Sequence, residues 1–177
     1  MYTPKKSGRT KSFLQPEHIA GFVDGEGCFC IGVHIRKDCK QRCEIRPIFE
    51  MEVRIDDKEI MERIHNTLGK PGQLYVLDYK RYKQWKPHIK IKVSNLKDLT
   101  EKVIPFFRKY QLQSKKRKSF EIFCKIVGMI QRKEHLTRKG VEKIIWLREN
   151  MNPAGKGFRK KGARLVREIR MLSGNSK

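Results

Sequence analysis

The apolar residues of this chain change period along its length, and each change marks a new element. From Cys28 the period is two: Phe29, Ile31, Val33 and Ile35 fall on one side, and Cys28, Cys30, Gly32, His34 and Arg36 on the other, as a half-buried strand requires. Lys37 to Gln41 is polar and reads as a turn. In the run that follows, Ile45, Pro47, Phe49, Met51 and Val53 alternate with Arg42, Glu44, Arg46, Ile48 and Glu50, so the two runs predict a long hairpin. Ile60, Met61, Ile64 and Leu68 switch to helical spacing, with Asp56, Asp57, Glu59 and Glu62 at a helix start that favours acids. Gly69-Lys70-Pro71-Gly72 stops that helix. Gln73 to Tyr79 and Pro87 to Val93 predict a second hairpin, in which Ile89, Ile91 and Val93 alternate with His88, Lys90 and Lys92. Leu96 to Tyr110, Ser114 to Ile130 and Thr137 to Asn150 read as three more helices. Asn152 to Gly162 is then a basic linker to a short final helix.

The segment before the first strand, Ile19-Ala20-Gly21-Phe22-Val23-Asp24-Gly25-Glu26-Gly27, is a helix-like apolar run that carries three glycines and ends in two acids. Each interior Gly costs about 1 kcal/mol relative to Ala. Carboxylates at a helix C-terminus oppose the helix dipole. Both costs need compensation. Gly21 and Gly25 lie four apart on one face, where they would let a second backbone approach closely, and Ala20 lies beside them. A divalent cation would turn the acids at the helix end into ligands.

Charge narrows the class of partner. Lys and Arg number 42 against 19 acids, for a net charge of +23, so a polyanion is the expected partner. No apolar stretch is long enough to span a bilayer, and a membrane role is not expected. Lys5, Lys6, Arg9 and Lys11 precede the first helix with no acid among them and no apolar secretory core, which predicts a basic arm on a protein that is not secreted. The organisation expected is a basic arm over 1–13, one domain over 14–150 and a basic extension over 151–177. Five cysteines, Cys28, Cys30, Cys39, Cys43 and Cys124, make an odd count and predict reduced thiols. The first four admit a structural zinc site, although the CxC start departs from the usual ligand spacing; the alternative is small residues on a strand pair.

The nine residues IAGFVDGEG resemble the signature of the LAGLIDADG homing endonucleases, with Glu26 standing where that family's metal-binding acid, often Asp, stands. The resemblance covers roughly residues 14–130. It implies an α+β fold of order αββαββα, with a four-stranded antiparallel DNA-binding sheet and further C-terminal helices. One motif copy per chain implies a homodimer, with Ala20, Gly21, Asp24 and Gly25 at the interface. Glu26 and the Gly25 carbonyl are the implied ligands for Mg2+, with Mn2+ as a possible substitute. Asp24 is implied to cap backbone donors of the partner helix, the alternative being an ordinary helix-end acid. The segment Leu112 to Phe120 places Lys116 at the family's catalytic Lys, where a cation could stabilise charge on the phosphorane; the alternative for Lys115, Lys116 and Lys118 is a phosphate-contacting turn. One departure stands out: Ile55 occupies the position of a Gln that helps order water in many members, and an aliphatic side chain cannot do so.

A two-stranded ribbon fits the DNA major groove, where Arg and Lys pair with guanine and Glu accepts from cytosine. His34, Arg36, Arg42, Glu44, Arg46, Gln73, Tyr75, Lys90 and Lys92 therefore mark the expected contact face, with Lys115 and Lys118 beside it. The resemblance implies metal-dependent double-strand breaks with short 3′ overhangs at a long, roughly palindromic target, in intron or intein homing. The setting would be a DNA-containing compartment, bacterial cytoplasm or organelle. Two alternatives share the fold: an intron maturase that binds RNA, and a DNA-binding regulator that has lost cleavage.

Overall fold

The structure, a computed structural model, describes residues 13–36, 38–39, 41–79, 86–151, 162–169 and 171. The expected basic residues of the N-terminal arm and the linker over 152–161 lie outside them. Helix α1 spans Pro16–Glu26, begun by a proline in its first turn, where the missing N–H costs nothing. Strands β1 (Gly27–Ile35) and β2 (Cys43–Arg54) form the first hairpin. Helix α2 (Lys58–Thr67) leads to β3 (Gln73–Leu77) and β4 (His88–Val93), the second hairpin. The hairpins join through β2 and β4, so the antiparallel sheet runs β1-β2-β4-β3. This is the expected α+β architecture of a helix and two strands twice over, followed by helices.

The third helix, α3, is one continuous helical run built of Leu96–Asp98, a wider π turn at Leu99–Val103 and Ile104–Lys109. Pro105 explains the wide turn, because it has no N–H to offer and its ring crowds the carbonyl four residues back. Asn95 caps the start, accepting from the Asp98 N–H at 2.7 Å. Helices α4 (Lys116–Gln131) and α5 (Arg138–Glu149) follow, and α6 covers 162–169. Ile169 of α6 packs with Cys43, Val141 and Ile145.

One face of the sheet meets the helices. Phe29 on β1 stands at the centre of an aromatic group, 4.9 Å from Phe49, 5.7 Å from Phe107, 5.0 Å from Phe120 and 5.4 Å from Phe123 between ring centroids. Such offset and edge contacts add about 0.5–1.5 kcal/mol per pair beyond burial. Ile31, Phe49, Met51, Val53, Ile89, Ile91 and Val93 are buried on the same side. The two-residue alternation therefore puts the polar partners of these residues on the opposite, outward face.

Most element ends shift by one or two residues from the sequence reading, and two of the shifts fall in the hairpins. Arg42, expected on the second strand, sits in the hairpin turn with φ 54°, its N–H bonded to the Cys39 carbonyl, and β2 begins one residue later. Closing a short turn between twisted strands needs a left-handed residue, and here it is Arg42. β3 ends at Leu77 rather than Tyr79.

Candidate active site and nucleic-acid interface

Helix α1 runs into β1 without a loop. Gly27 makes the junction: a Cβ there would lie 2.6 Å from Val23 Cγ1 and 2.9 Å from the Val23 carbonyl oxygen, so only glycine fits. The Gly27 N–H closes the helix onto that same carbonyl. Glu26, the last helical residue, is exposed and makes no hydrogen bond or ion pair among the described residues.

The helix end and the start of α4 exchange charges. Asp24 accepts the Gln113 N–H at 2.7 Å, the Ser114 N–H at 3.2 Å and the Ser114 hydroxyl at 2.7 Å. Ser114 Oγ in turn accepts the Lys116 N–H at 3.1 Å, so a carboxylate sits at the positive end of α4. In the other direction, Lys116 Nζ donates to the Val23 and Gly25 carbonyls, both at 3.0 Å, and so places a cation at the negative end of α1. The last turn of α1 has no basic residue of its own. Burial pulls the Asp24 carboxyl upward, but its bonds to Gln113 and Ser114 and the nearby Lys116 charge outweigh that and hold it below its ordinary 3.8.

Within the chain Asp24 caps backbone donors at the start of α4, where the expectation named donors of a partner helix. Ala20, expected at an interface, is buried in its own core with 5% exposure, because it falls beside Ile19 and Val23 on the inward face of α1. Gly21 and Gly25 are exposed, and a Cβ at either would meet nothing within 4 Å. Nothing in the packing of the described residues requires glycine at these two positions.

The Gly25 carbonyl and the Glu26 carboxylate are hard oxygen donors side by side, the chemistry that suits Mg2+ or Mn2+. Each helix end brings one carboxylate, so the rest of a coordination shell would come from phosphate, water or a second helix end. Ile55 begins a 3-10 turn, Ile55–Asp57, and packs against the core, while neighbouring Arg54 is ion-paired to Asp56.

On the outward face the register gathers most of the residues expected to contact nucleic acid. His34 is opposite Glu44, Gly32 opposite Arg46, and Cys28 opposite Glu50. Glu50 is opposite Lys92, Glu52 opposite Lys90, and Gln73 and Tyr75 continue the rows on β3. Arg36 reaches Asp38 and Glu44, and Arg46 pairs with Glu44 at 2.8 Å. Lys115 and Lys118 are exposed at the start of α4, away from these rows, and Arg42 lies at the hairpin tip.

Sequence reasoning passed over Glu52, Tyr79 and His88. Lys90 Nζ bridges Glu50 at 2.9 Å and Glu52 at 3.3 Å; Tyr79 donates to Glu52 Oε1 at 2.7 Å, and His88 Nδ1 lies 3.0 Å from the same oxygen. Burial raises the Glu52 carboxyl, and the bonds from Tyr79, Lys90 and His88 more than reverse it. The period-two alternation of β2 carried the signal for Glu52, one position beyond where the polar row was expected to end.

The four cysteines that the sequence groups split in two: Cys28 and Cys30 lie at one end of the first hairpin, and Cys43, with Cys39 in the turn, at the other. Cys43 pairs with Ile35 at the far end of β1 from Cys28, seven residues or about 23 Å along an extended strand, and it is buried beside Val141 and Ile145. Cys28 and Cys30 instead share a hydrogen bond on the outward face, which pulls the Cys28 thiol down to about 7 and, with burial, pushes Cys30 up.

A four-stranded sheet led by a glycine-faced helix that ends in an exposed acid is the arrangement that the LAGLIDADG resemblance implies. The sequence profile described as LAGLIDADG endonuclease matches residues 19–127, and the chain belongs to that family. Among solved structures, the homing endonuclease I-TnaI superposes with a TM-score of 0.74 at 29% identity, over 89% of this chain and 99% of that one. I-LtrWI, a LAGLIDADG homing endonuclease bound to target DNA, gives 0.73 at 34% identity over 82% of this chain and 47% of that one. A probable intron-encoded endonuclease 2 of Neurospora crassa is 26% identical over 78% of this chain, and a probable intron-encoded DNA endonuclease 1 of Mycosarcoma maydis 29% identical over 67%. The chain spans 29% and 40% of the length of these two fungal proteins.

Proposed function

We propose that this chain is a site-specific DNA endonuclease that acts as a homodimer on a long, roughly palindromic duplex and depends on a divalent cation. The observation that carries the reading is the end of α1. Glu26 is exposed and unpaired among the described residues, directly after the Gly25 carbonyl that Lys116 holds at 3.0 Å. Bound at Glu26 and Gly25, Mg2+ or Mn2+ would polarise a scissile phosphate and activate water. Lys116 adds positive potential where the phosphate gains charge during hydrolysis. Ile55 offers no hydrogen bond, so ordering of water rests on the groups around Glu26 rather than on that position.

Two cut strands need two such helix ends. The exposed glycines at positions 21 and 25 support a second copy against α1, which would bring both acids to one place. The outward sheet face, with Arg46, Lys92, Gln73 and Tyr75 in rows, supports contact with the major groove. Relatives named as intron-encoded support a role in homing within a DNA-containing compartment.

The test incubates the purified full chain with a pooled library of random duplexes, in Mg2+ and in EDTA, and sequences the ends produced. Paired breaks around a sequence with approximate two-fold symmetry, present only with the metal, are the expected result. Tight selective binding without breaks in either Mg2+ or Mn2+ would make the chain a DNA-binding regulator instead. Preference for structured intron RNA over every duplex would make it a maturase.

A further inference from the structure

The β1–β2 register assembles a patch that the oxygen-donor chemistry of Glu26 does not use. Cys28 and Cys30 are two apart on the outward side of β1, Glu50 stands directly opposite Cys28 on β2, and the two sulfurs and a carboxylate oxygen lie within 4.8 Å of one another. We propose that Cys28, Cys30 and Glu50 form a zinc site that clips β1 to β2.

Thiolates select zinc over magnesium, so this site and the hard oxygen pair at Gly25 and Glu26 sort different ions. Tetrahedral zinc with bonds of about 2.3 Å holds two sulfurs about 3.8 Å apart. The three ligand atoms lie within 4.8 Å of one another, so the gap to that spacing is about 1 Å or less. Charge also balances. Two thiolates and one carboxylate around Zn2+ leave one negative charge, and Lys90 Nζ, 2.9 Å from Glu50 Oε2 and shared with Glu52, lies beside it to offset that charge in part. The fourth position faces outward, so water or an added ligand completes the shell. The site stands on strand geometry and does not depend on the endonuclease reading.

Cobalt is the probe, because thiolate-to-Co2+ charge transfer reports sulfur ligands directly. The reduced full chain is titrated with Co2+ and then with Zn2+. The expected result is one thiolate-bound Co2+ per chain, seen as a two-thiolate band that zinc displaces. Cys28→Ser and Cys30→Ser should each halve the band and weaken binding by roughly tenfold or more, and Glu50→Gln should weaken binding while keeping the band. Cys124→Ser and Glu26→Gln should change neither. Circular dichroism of each variant checks that the fold is kept. A missing band, a band indifferent to Cys28→Ser and Cys30→Ser, or one lost in Cys124→Ser or Glu26→Gln overturns the assignment.

Discussion

Asp24 and Ser114, ninety positions apart in sequence, are joined by a 2.7 Å hydrogen bond from the serine hydroxyl to the carboxylate. With the Lys116 bonds running the opposite way, this contact locks the end of α1 to the start of α4. The acid that precedes Glu26 in the motif is therefore a brace within the chain, and its removal should be felt as lost stability before lost chemistry.

Asp24→Asn should lower stability by about 2 kcal/mol at neutral pH, since hydrogen bonds to a charged group contribute about 1.5–3 kcal/mol. The sign with pH follows from the lowered carboxyl. The folded value lies below the unfolded one of about 3.9, so the contribution is complete above that pH and is lost as pH falls through the folded value. Urea melts of parent and variant should differ at pH 7 and converge toward pH 2. Equal stability at pH 7 would remove the brace.

Glu26→Gln should keep fold and duplex binding and reduce cleavage by more than about 100-fold, beyond what loss of an outer partner of a metal ligand costs. Cleavage rates and binding isotherms measured side by side check this. Loss of binding together with cleavage would point to a structural role.

Lys116→Met should cut the cleavage rate on the order of 100-fold, as loss of one preorganised donor does, while leaving duplex affinity nearly unchanged. Uncapping the α1 carbonyls should also lower stability by about 1 kcal/mol. An unchanged rate alongside that stability loss would restrict Lys116 to holding the helix end.

Gly21→Leu should drive a dimer toward monomer, because a backbone approach leaves no room for a large side chain. Among the described residues a Cβ at position 21 meets nothing within 4 Å, so the branch point of the new side chain fits the chain's own packing. Light scattering combined with thermal melts separates the two effects: mass should halve with melting temperature of the monomer fold retained. A parent that is monomeric at high concentration and still cuts both strands refutes the homodimer.

Arg46→Ala should relax preference at one symmetric pair of target positions, and Lys118→Ala should weaken all sequences alike and lower the salt slope by about 1. Binding-site selection across salt concentrations distinguishes them. An unchanged selected motif for Arg46→Ala would remove that residue from base readout.

Much of this arrangement is legible in the sequence, for a physical reason. Each strand has one buried face, so Phe29, Ile31, Phe49, Met51 and Val53 had to repeat at period two, and the helix-end motif stands out because its glycines and acids are costly in an ordinary helix. Contacts between distant segments were not legible. The partner of Asp24 lies 90 residues away and was expected on another chain. Ala20 carries no mark in sequence that separates a core position from an interface one. The left-handed Arg42 hides as a strand residue because nothing in its side chain announces the turn. The two cysteine pairs could not be told apart, because spacing in sequence says nothing of which end of a hairpin each thiol occupies.

The junction at Gly27 leaves no loop between the helix that carries Glu26 and the strand that carries Phe29. The end of α1 is therefore tied to the strand that carries the aromatic group, with no adjustable connection between them. Inward residues of β1 and β2 answer to that group, and their immediate neighbours answer only to whatever lies on the other side of the sheet. Outward side chains can thus be exchanged without disturbing the packing that holds the end of α1 in place.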